Sequence, residues 1–304
     1  MINHLLQTNK GGGAESVVSN LIKISDTVNL KSRTVFLGES FWKITLNLIK
    51  LKSNGPLLIH SLRILIVSCI LFKRNNRKYF FSHFNYNKLM RILIRILAFR
   101  QQIVCVGNVG YNKFLNDGID KGKVILIHNV VFHKGTSIDS KKKQSKSFKE
   151  FCWIGSIKSG KNWEHLFPIA DCLEKYNQRI VINIYGTGSD SNKLQNIITN
   201  HRSNNIKFVY HGFTKNVIDV LRNNDLLIYT AYNNYEMAPM ILLEAELAGT
   251  KVAAYQSDVN KYYFSTKLPK FCDHSKISSL IINGGESVNS LADLNKTKEF
   301  LISL

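Results

Sequence analysis

Two glutamates with seven residues between them, Glu236 and Glu244, enclose the stretch Met237-Ala238-Pro239-Met240-Ile241-Leu242-Leu243. Pro239 suits the first turn of a helix, because its fixed φ fits and its missing N–H would have no partner there anyway, and Gly249 suits the stop. A strand ending near Thr230 and a helix opening near Pro239 leave the amides of Met240 and Ile241 unpaired at the positive end of a helix dipole. That is a ready site for a diphosphate. Glu236 just before the helix and Glu244 in its second turn let both carboxylates reach one ligand from the same side. A buried helix carrying two solvated glutamates fits the same spacing, and spacing alone does not choose between them.

Other residues invite chemistry more weakly. Gly11, Gly12 and Gly13 form a strand-to-helix turn that allows close backbone approach to a ligand and tolerates φ > 0, or they are simply a tight turn. His83 closes the apolar run from Tyr79, and His60 and His128 occupy similar strand ends, where a lone histidine is most often structural. Gly186 and Gly188 follow another strand, either lining a ligand or making a plain turn. Five cysteines, at 69, 105, 152, 172 and 272, are scattered with no C-x-x-C pair and no Cys/His cluster, which indicates reduced thiols and neither a disulfide framework nor a zinc site. No Asp-x-Asp motif is present to hold a divalent ion on a phosphate, so metal-independent chemistry is expected.

The elements that must position these residues are short apolar runs alternating with helical patterns. Six strands are predicted at Ile2–Leu6, Arg33–Leu37, Leu57–Leu62, Tyr79–Phe84, Ile103–Val106 and Val124–Ile127. Five more follow at Glu150–Ile154, Ile180–Tyr185, Lys207–Tyr210, Asp225–Thr230 and Lys251–Tyr255. Strand-helix alternation with short connections implies parallel sheets covered on both faces, hence two doubly wound α/β domains in tandem with ligands at the carboxyl ends of the strands and a cleft between facing sheets. The expected division is a first domain over residues 1–131, a basic linker over 132–148, a second domain over 149–274 and a helical tail over 275–304.

Of 304 residues, 44% are hydrophobic and 20% charged, which excludes intrinsic disorder. The formal charge is +20, and it is lopsided: the first 148 residues hold 24 Lys and Arg against 6 Asp and Glu, the rest 17 against 15. The first half therefore expects an anionic partner, nucleic acid or an acidic membrane surface. Aromatic residues do not interleave with the basic ones in an RNA-recognition pattern and no helix-turn-helix or zinc finger is visible, which argues against nucleic acid. The segment Lys88–Arg100 sets Lys88, Arg91 and Arg95 on one helical face with a broad apolar remainder. It fits an interfacial helix that, with Lys73, Arg74, Arg77 and Lys78, docks on anionic lipid, or a packed helix with a solvated basic edge. The amino terminus lacks the features of a signal peptide, and the longest apolar stretch, Leu57–Phe72, is interrupted by His60 and Arg63 and too short to span a bilayer. A cytoplasmic location, peripheral on the inner face of the membrane, is expected.

The Glu-x7-Glu pattern set in E-x-x-P-x-x-L-L-E-A after Asn224-Asp225-Leu226-Leu227-Ile228-Tyr229 resembles the donor-site signature of the family-four retaining glycosyltransferases, which have the two-domain GT-B fold. Further segments match in order: Gly12-Gly13-Ala14-Glu15, Phe81-Ser82-His83, Ile127-His128-Asn129-Val130, Trp153-Ile154-Gly155 through Lys161-Asn162, and Tyr185-Gly186-Thr187-Gly188. The resemblance implies transfer of a sugar from a nucleotide-sugar, with uridine diphosphate the default over guanosine diphosphate, to a saccharide acceptor that is lipid-linked in bacterial polysaccharide assembly. It implies Glu244 on the ribose hydroxyls, Glu236 and His83 at the transferring sugar, and Lys161 with the Met240 and Ile241 amides on the diphosphate. The Gly12-Gly13 loop, Gly186 and Gly188 complete the donor site, and no cofactor is implied. Ser156 departs from the pattern, which has arginine there sharing the phosphate contact; Lys158 is the nearest substitute. A non-catalytic homologue is the alternative that this departure raises.

Overall fold

The computed structural model describes residues 1–9, 13–51, 55–71, 77–84, 86–98, 101–132, 148–232, 236–290 and 293–304. The linker expected at 132–148 falls, save its two ends, outside them, as do Gly11, Gly12, Lys73 and Arg74. The chain forms two compact units. The first takes Met1–His133, Glu236–Met240 and Ala292–Leu304, and the second Lys134–Tyr235 and Ile241–Leu291.

In the first unit six parallel strands, β1 (Ile2–Leu6), β2 (Ser32–Phe36), β3 (Leu57–Ile59), β4 (Lys78–Ser82), β5 (Gln102–Cys105) and β6 (Val124–Leu126), lie in the order β2-β1-β3-β4-β5-β6. β1 and β3 are buried at every residue because helices cover both faces of the sheet; β3 is wholly apolar, while β1 also buries Asn3 and His4. The connecting helices are α1 (Gly13–Thr27), α2 (Phe41–Lys50), α3 (Leu62–Leu71), α4 (Lys88–Leu97) and α5 (Asn108–Asn116). Leu5, Leu57, Ile59, Phe80, Ile94, Ile103 and Phe114 share one core. β1 has β2 on one side and β3 on the other, so strand order reverses there, and the loops leaving β1 and β3 flank the position where doubly wound sheets take ligands.

The second unit repeats the plan with five parallel strands, β7 (Lys149–Ile154), β8 (Ile180–Tyr185), β9 (Ile206–Gly212), β10 (Leu226–Tyr229) and β11 (Lys251–Ala254), in the order β11-β10-β7-β8-β9. Its helices are α6 (Leu166–Leu173), α7 (Ser191–Asn200), α8 (Val217–Asn223), α9 (Met240–Ala248) and α10 (His274–Ile282). Trp163, fully buried, anchors the core with Phe151, Ile182, Ile184, Ile228 and Tyr255. Here strand order reverses between β7 and β10, so the loops after these two strands hold the ligand position.

Two expectations need correction. Residues 275–304 are not a single tail: α10 buries Ile277 and Ile281 in the core of the second unit and donates from Ser278 Oγ to the Ile169 carbonyl (3.1 Å), whereas α11 (Leu294–Ser303) belongs to the first unit, where Phe300 meets Tyr79 and Phe81 edge-on. The basic edge of α4 is also solvated only in part: Lys88 and Arg95 are exposed, but Arg91 is not. Arg91 forks onto the Asp117 carboxylate and donates to the Tyr86 carbonyl (2.7 Å), and Arg95 donates to the Asp117 carbonyl (3.0 Å). This turns Leu89, Ile92 and Ile96, spaced i, i+3, i+7, outward, with Leu89 77% and Ile96 67% exposed.

Candidate functional site

In the second unit the loops after β7 and β10 are tied together by side chains. The Trp153 indole N–H donates to Thr230 Oγ1 (2.8 Å), and the Thr230 hydroxyl donates to the Lys161 carbonyl (2.9 Å). Asn162 follows in left-handed backbone at φ 51°, which asparagine tolerates better than most residues, and its Nδ2 reaches the Thr230 carbonyl at 3.4 Å. The backbone of Lys161, in the 3-10 turn Ser159–Lys161, is therefore held at the carboxyl end of the sheet while its side chain is half-buried.

Beyond β10, α9 starts at Met240 directly after Pro239, and the amides of its first turn have no partner within the helix. Glu244, one turn in, is half-buried between buried Leu243 and Ala245. Burial disfavours its charged form and raises its pKa to about 7. Keeping that carboxylate charged costs stability.

Gly186 and Gly188 have a role that needs no ligand. A Cβ on Gly186, whose φ is +132°, would overlap the Gly155 carbonyl, and one on Gly188 would overlap the Ile157 carbonyl. The loops after β7 and β8 pack backbone on backbone, through Gly155 N to Tyr185 O and Ile157 N to Thr187 O, each 3.0 Å. Ser191 Oγ accepts from Gly188 N (2.9 Å). Gly13 differs: a Cβ built there meets no atom within 4 Å, so space adjoins the first residue of α1.

In the first unit His83 is the end of a chain of three histidines. His4 lies in β1, and His60 and His83 directly follow β3 and β4, which are neighbours in the sheet. His4 Nδ1 lies 3.2 Å from His60 Nε2, and His60 Nδ1 2.8 Å from His83 Nε2, with successive rings stacked. Burial lowers the pKa of His4 and of His83 to about 4, and burial with the neighbouring His83 and His4 holds that of His60 well below its ordinary value, so all three are neutral at pH 7. Each neutral ring has one N–H, so the chain has a direction. The far nitrogen, His4 Nε2, is buried with no partner among the described residues. An orphaned lone pair there is less costly than an orphaned N–H. The proton accordingly sits on His4 Nδ1 and donates to His60 Nε2, His60 Nδ1 donates to His83 Nε2, and His83 keeps its own proton on Nδ1, the nitrogen not engaged by His60.

The same unit holds the segment before α9. Phe84, next to His83, forms an isolated antiparallel bridge with Glu236, which brings the backbone of the two sequence-predicted catalytic positions together. Asn129 Nδ2 donates to the Ala238 carbonyl (3.0 Å), and Gly107 and Gly110 admit Met237, since a Cβ on either would overlap it. Glu236 is half-buried, while Met237, Ala238 and Pro239 are buried.

Sequence reasoning did not give roles to His4, His60, Asn129, Gly107 or Thr230. His60 was readable as a strand-end histidine like His83; the pairing that links the two depends on strand order, which periodicity does not carry. The expectation of no Cys/His cluster is also overturned, because folding brings His165, Cys272 and His274 within 4.8 Å of one another. None of the five cysteines is in a disulfide.

Residues 136–277 match the family model described as Glycosyl transferases group 1. A curated relative, the uncharacterized glycosyltransferase MJ1069 of Methanocaldococcus jannaschii, is 24% identical over 153 residues, 49% of this chain and 38% of that protein. The chain thus matches well under half of that relative's length. Among solved structures, Alr3699/HepE of Anabaena in complex with UDP-glucose superposes with a TM-score of 0.70 at 14% identity, covering 98% of this chain and 91% of that one. The lipopolysaccharide outer core galactosyltransferase WaaB in its apo form gives 0.62 at 15% identity, over 98% and 93%. The two parallel-sheet, Rossmann-like units therefore have the fold of the GT-B glycosyltransferases.

Proposed function

We propose that this chain is a retaining glycosyltransferase that moves a sugar from a nucleotide-sugar, a uridine diphosphate sugar before a guanosine diphosphate one, to a hydroxyl of a lipid-linked saccharide in bacterial polysaccharide assembly. The observation that carries the proposal is the backbone pairing of Phe84 with Glu236, beside His83, whose Nε2 lies 2.8 Å from His60 Nδ1. In the proposed complex Glu244 accepts hydrogen bonds from the ribose hydroxyls, and Lys161 with the Met240 and Ile241 amides balances the diphosphate. Glu236 takes hydroxyls of the sugar, and the N–H of His83 donates to another. The Gly12-Gly13 loop adjoins the donor. The bond between the anomeric carbon and the leaving phosphate breaks as the acceptor oxygen bonds the same face, and the acceptor proton passes to a phosphate oxygen. Growing charge on the diphosphate is met by preorganised donors, with no metal required on it. Support for the uridine donor comes from the UDP-glucose bound in the HepE structure.

A membrane-bound acceptor fits the outer surface of the first unit. Alongside the stripe on α4, α2 exposes Trp42, Leu46 and Ile49 at i, i+4, i+7, with Trp42 70% exposed, while its opposite side buries Ile44 and Leu48. α2 packs beside α3 and α3 beside α4. Two apolar stripes on the strongly basic half of the chain suit an anionic bilayer interface on the cytoplasmic side. Among the described residues no helix is long and apolar enough to cross a membrane.

The test is a thermal-shift screen of metal-free protein against the common nucleoside diphosphates, followed by a transfer assay with the sugar conjugates of whichever binds. Uridine diphosphate should raise the midpoint, and Glu244→Ala should abolish the shift. Silence across the panel with folded protein would defeat the proposal. Binding without turnover would favour a non-catalytic homologue, the alternative raised by Ser156.

A further inference from the structure

We propose that His165, Cys272 and His274 form a zinc site in the second unit, a clasp between the segment that follows the Lys161 turn and the start of α10. The three donors come from separate stretches of chain: His165 ends the 3-10 turn Trp163–His165, Cys272 sits in the loop after β11, and His274 is the first residue of α10. Their ligand atoms all lie within 4.8 Å of one another, and His165 Nδ1 is 3.0 Å from His274 Nε2. A tetrahedral zinc with bonds of about 2.0–2.3 Å holds neighbouring donors roughly 3.5 Å apart, so small side-chain rotations replace the imidazole pair's shared proton by a metal. Two imidazoles and one thiolate are a borderline-soft set that suits zinc rather than magnesium or calcium, and three protein ligands leave a fourth position for water.

Two further features single the cluster out. Cys272 is held at φ +64°, a left-handed conformation that residues with a Cβ disfavour, and this turn brings Cys272 and His274, two residues apart, to the same point. Local strain of this kind concentrates at sites where a precise arrangement is needed. Around the donors is an aromatic shell: the His165 ring lies 4.7 Å from that of Phe271 and edge-on to Tyr255, a fully buried residue whose hydroxyl has no hydrogen-bond partner among the described residues. Cys272 is exposed, which gives an ion a route in. None of the three residues belongs to the proposed donor site, and the inference stands independently of the transfer reaction.

The decisive experiment is cobalt titration of the reduced full-length chain after chelator treatment. The expected result is one equivalent bound, with the intense visible bands of tetrahedral cobalt and a thiolate charge-transfer band, both displaced by zinc. Cys272→Ser should remove the charge-transfer band, and His274→Ala should weaken binding by at least about tenfold. In the unmutated protein, one equivalent of zinc should protect Cys272 from alkylation while leaving Cys172 reactive, a readout that does not depend on a variant folding. Absence of a stoichiometric site, a charge-transfer band that survives in folded Cys272→Ser, or alkylation of Cys272 unaffected by zinc would each overturn the proposal.

Discussion

The two units answer acid in opposite directions, although both are doubly wound sheets. In the first, His4, His60 and His83 are buried and neutral, with pKa values depressed below that of an exposed histidine. The unfolded chain binds protons on these rings before the folded one does, so their contribution is complete above pH 6.5 and is lost as pH falls toward 4. For an isolated ring with a pKa of about 4 the loss at pH 5.5 is about 1.4 kcal/mol. In the second unit Glu244 has its pKa raised to about 7. The folded state there prefers the protonated acid, and the cost of ionising it grows as pH rises from 4.5 past 7, then recedes as pH falls. Between pH 7.5 and 5.5 the relief is about 2 kcal/mol. One unit uses a neutral polar chain that acid disrupts, and the other keeps a carboxylate that acid relaxes. Fixed hydrogen-bond direction and available negative charge are thus supplied by different parts of the molecule.

The sharpest way to break this division is Glu236→Gln. It should lower turnover about 10²- to 10³-fold by removing a contact to the reacting sugar, the range seen when one preorganised partner is deleted. Uridine diphosphate binding, measured by calorimetry, should remain within a few-fold of the parent. Equal loss of both would mean that the glutamate serves the nucleotide instead.

Next in size is Glu244→Gln. The parent's affinity for uridine diphosphate should fall about tenfold from pH 8 to pH 6, as the carboxylate that accepts the ribose hydroxyls becomes protonated. The variant should bind weakly at both pH values and show no such slope. Its stability to urea at pH 8 should rise by up to about 3 kcal/mol, because the cost of the buried charge is gone. A variant that is less stable at pH 8 would show that the carboxylate is paired rather than strained.

A smaller effect is expected for His60→Phe, which keeps the ring packing but cuts the hydrogen-bond chain. Turnover should drop about tenfold through loss of His83 orientation, and His60→Gln, which can still donate, should recover part of it. Hydrogen exchange of β1, β3 and β4 should become less sensitive to pH between 7 and 5, since one buried imidazole no longer takes a proton on unfolding. Unchanged exchange would remove the histidines from the acid response. Least of all, Trp42→Glu should reduce binding to vesicles containing anionic lipid several-fold while leaving nucleotide affinity alone; retention of binding would locate the membrane contact elsewhere.

Much of the architecture was legible in the sequence because parallel strands buried on both faces write themselves as apolar runs. β1 and β8 were predicted at their observed bounds, and most of the others within one or two residues. Pro239 likewise marked the start of α9. What periodicity does not record is which distant residue a side chain meets. Arg91 looked solvated until Asp117, 26 positions on, took it and turned the apolar stripe of α4 outward. The division of the helix start is similar: nothing local announces that Glu236–Met240 counts with the first unit while Ile241 onward counts with the second. Gly186 and Gly188 were recognised as unusual, but the carbonyls that exclude a Cβ there lie in another loop. His165 and Cys272 are too far apart in the chain for any spacing rule to join them.

The return of α11 to the first unit has a practical consequence for dissecting the protein. A gene fragment stopping in the segment between Phe132 and Phe148 would encode all six strands of that sheet and still leave Tyr79 and Phe81 without their Phe300 cover and Phe84 without its bridge to Glu236. Two-piece complementation should therefore succeed only when the partner fragment carries the chain through to Leu304, and a minimal first unit is better sought by fusing α11 back onto residue 132 through a short artificial loop.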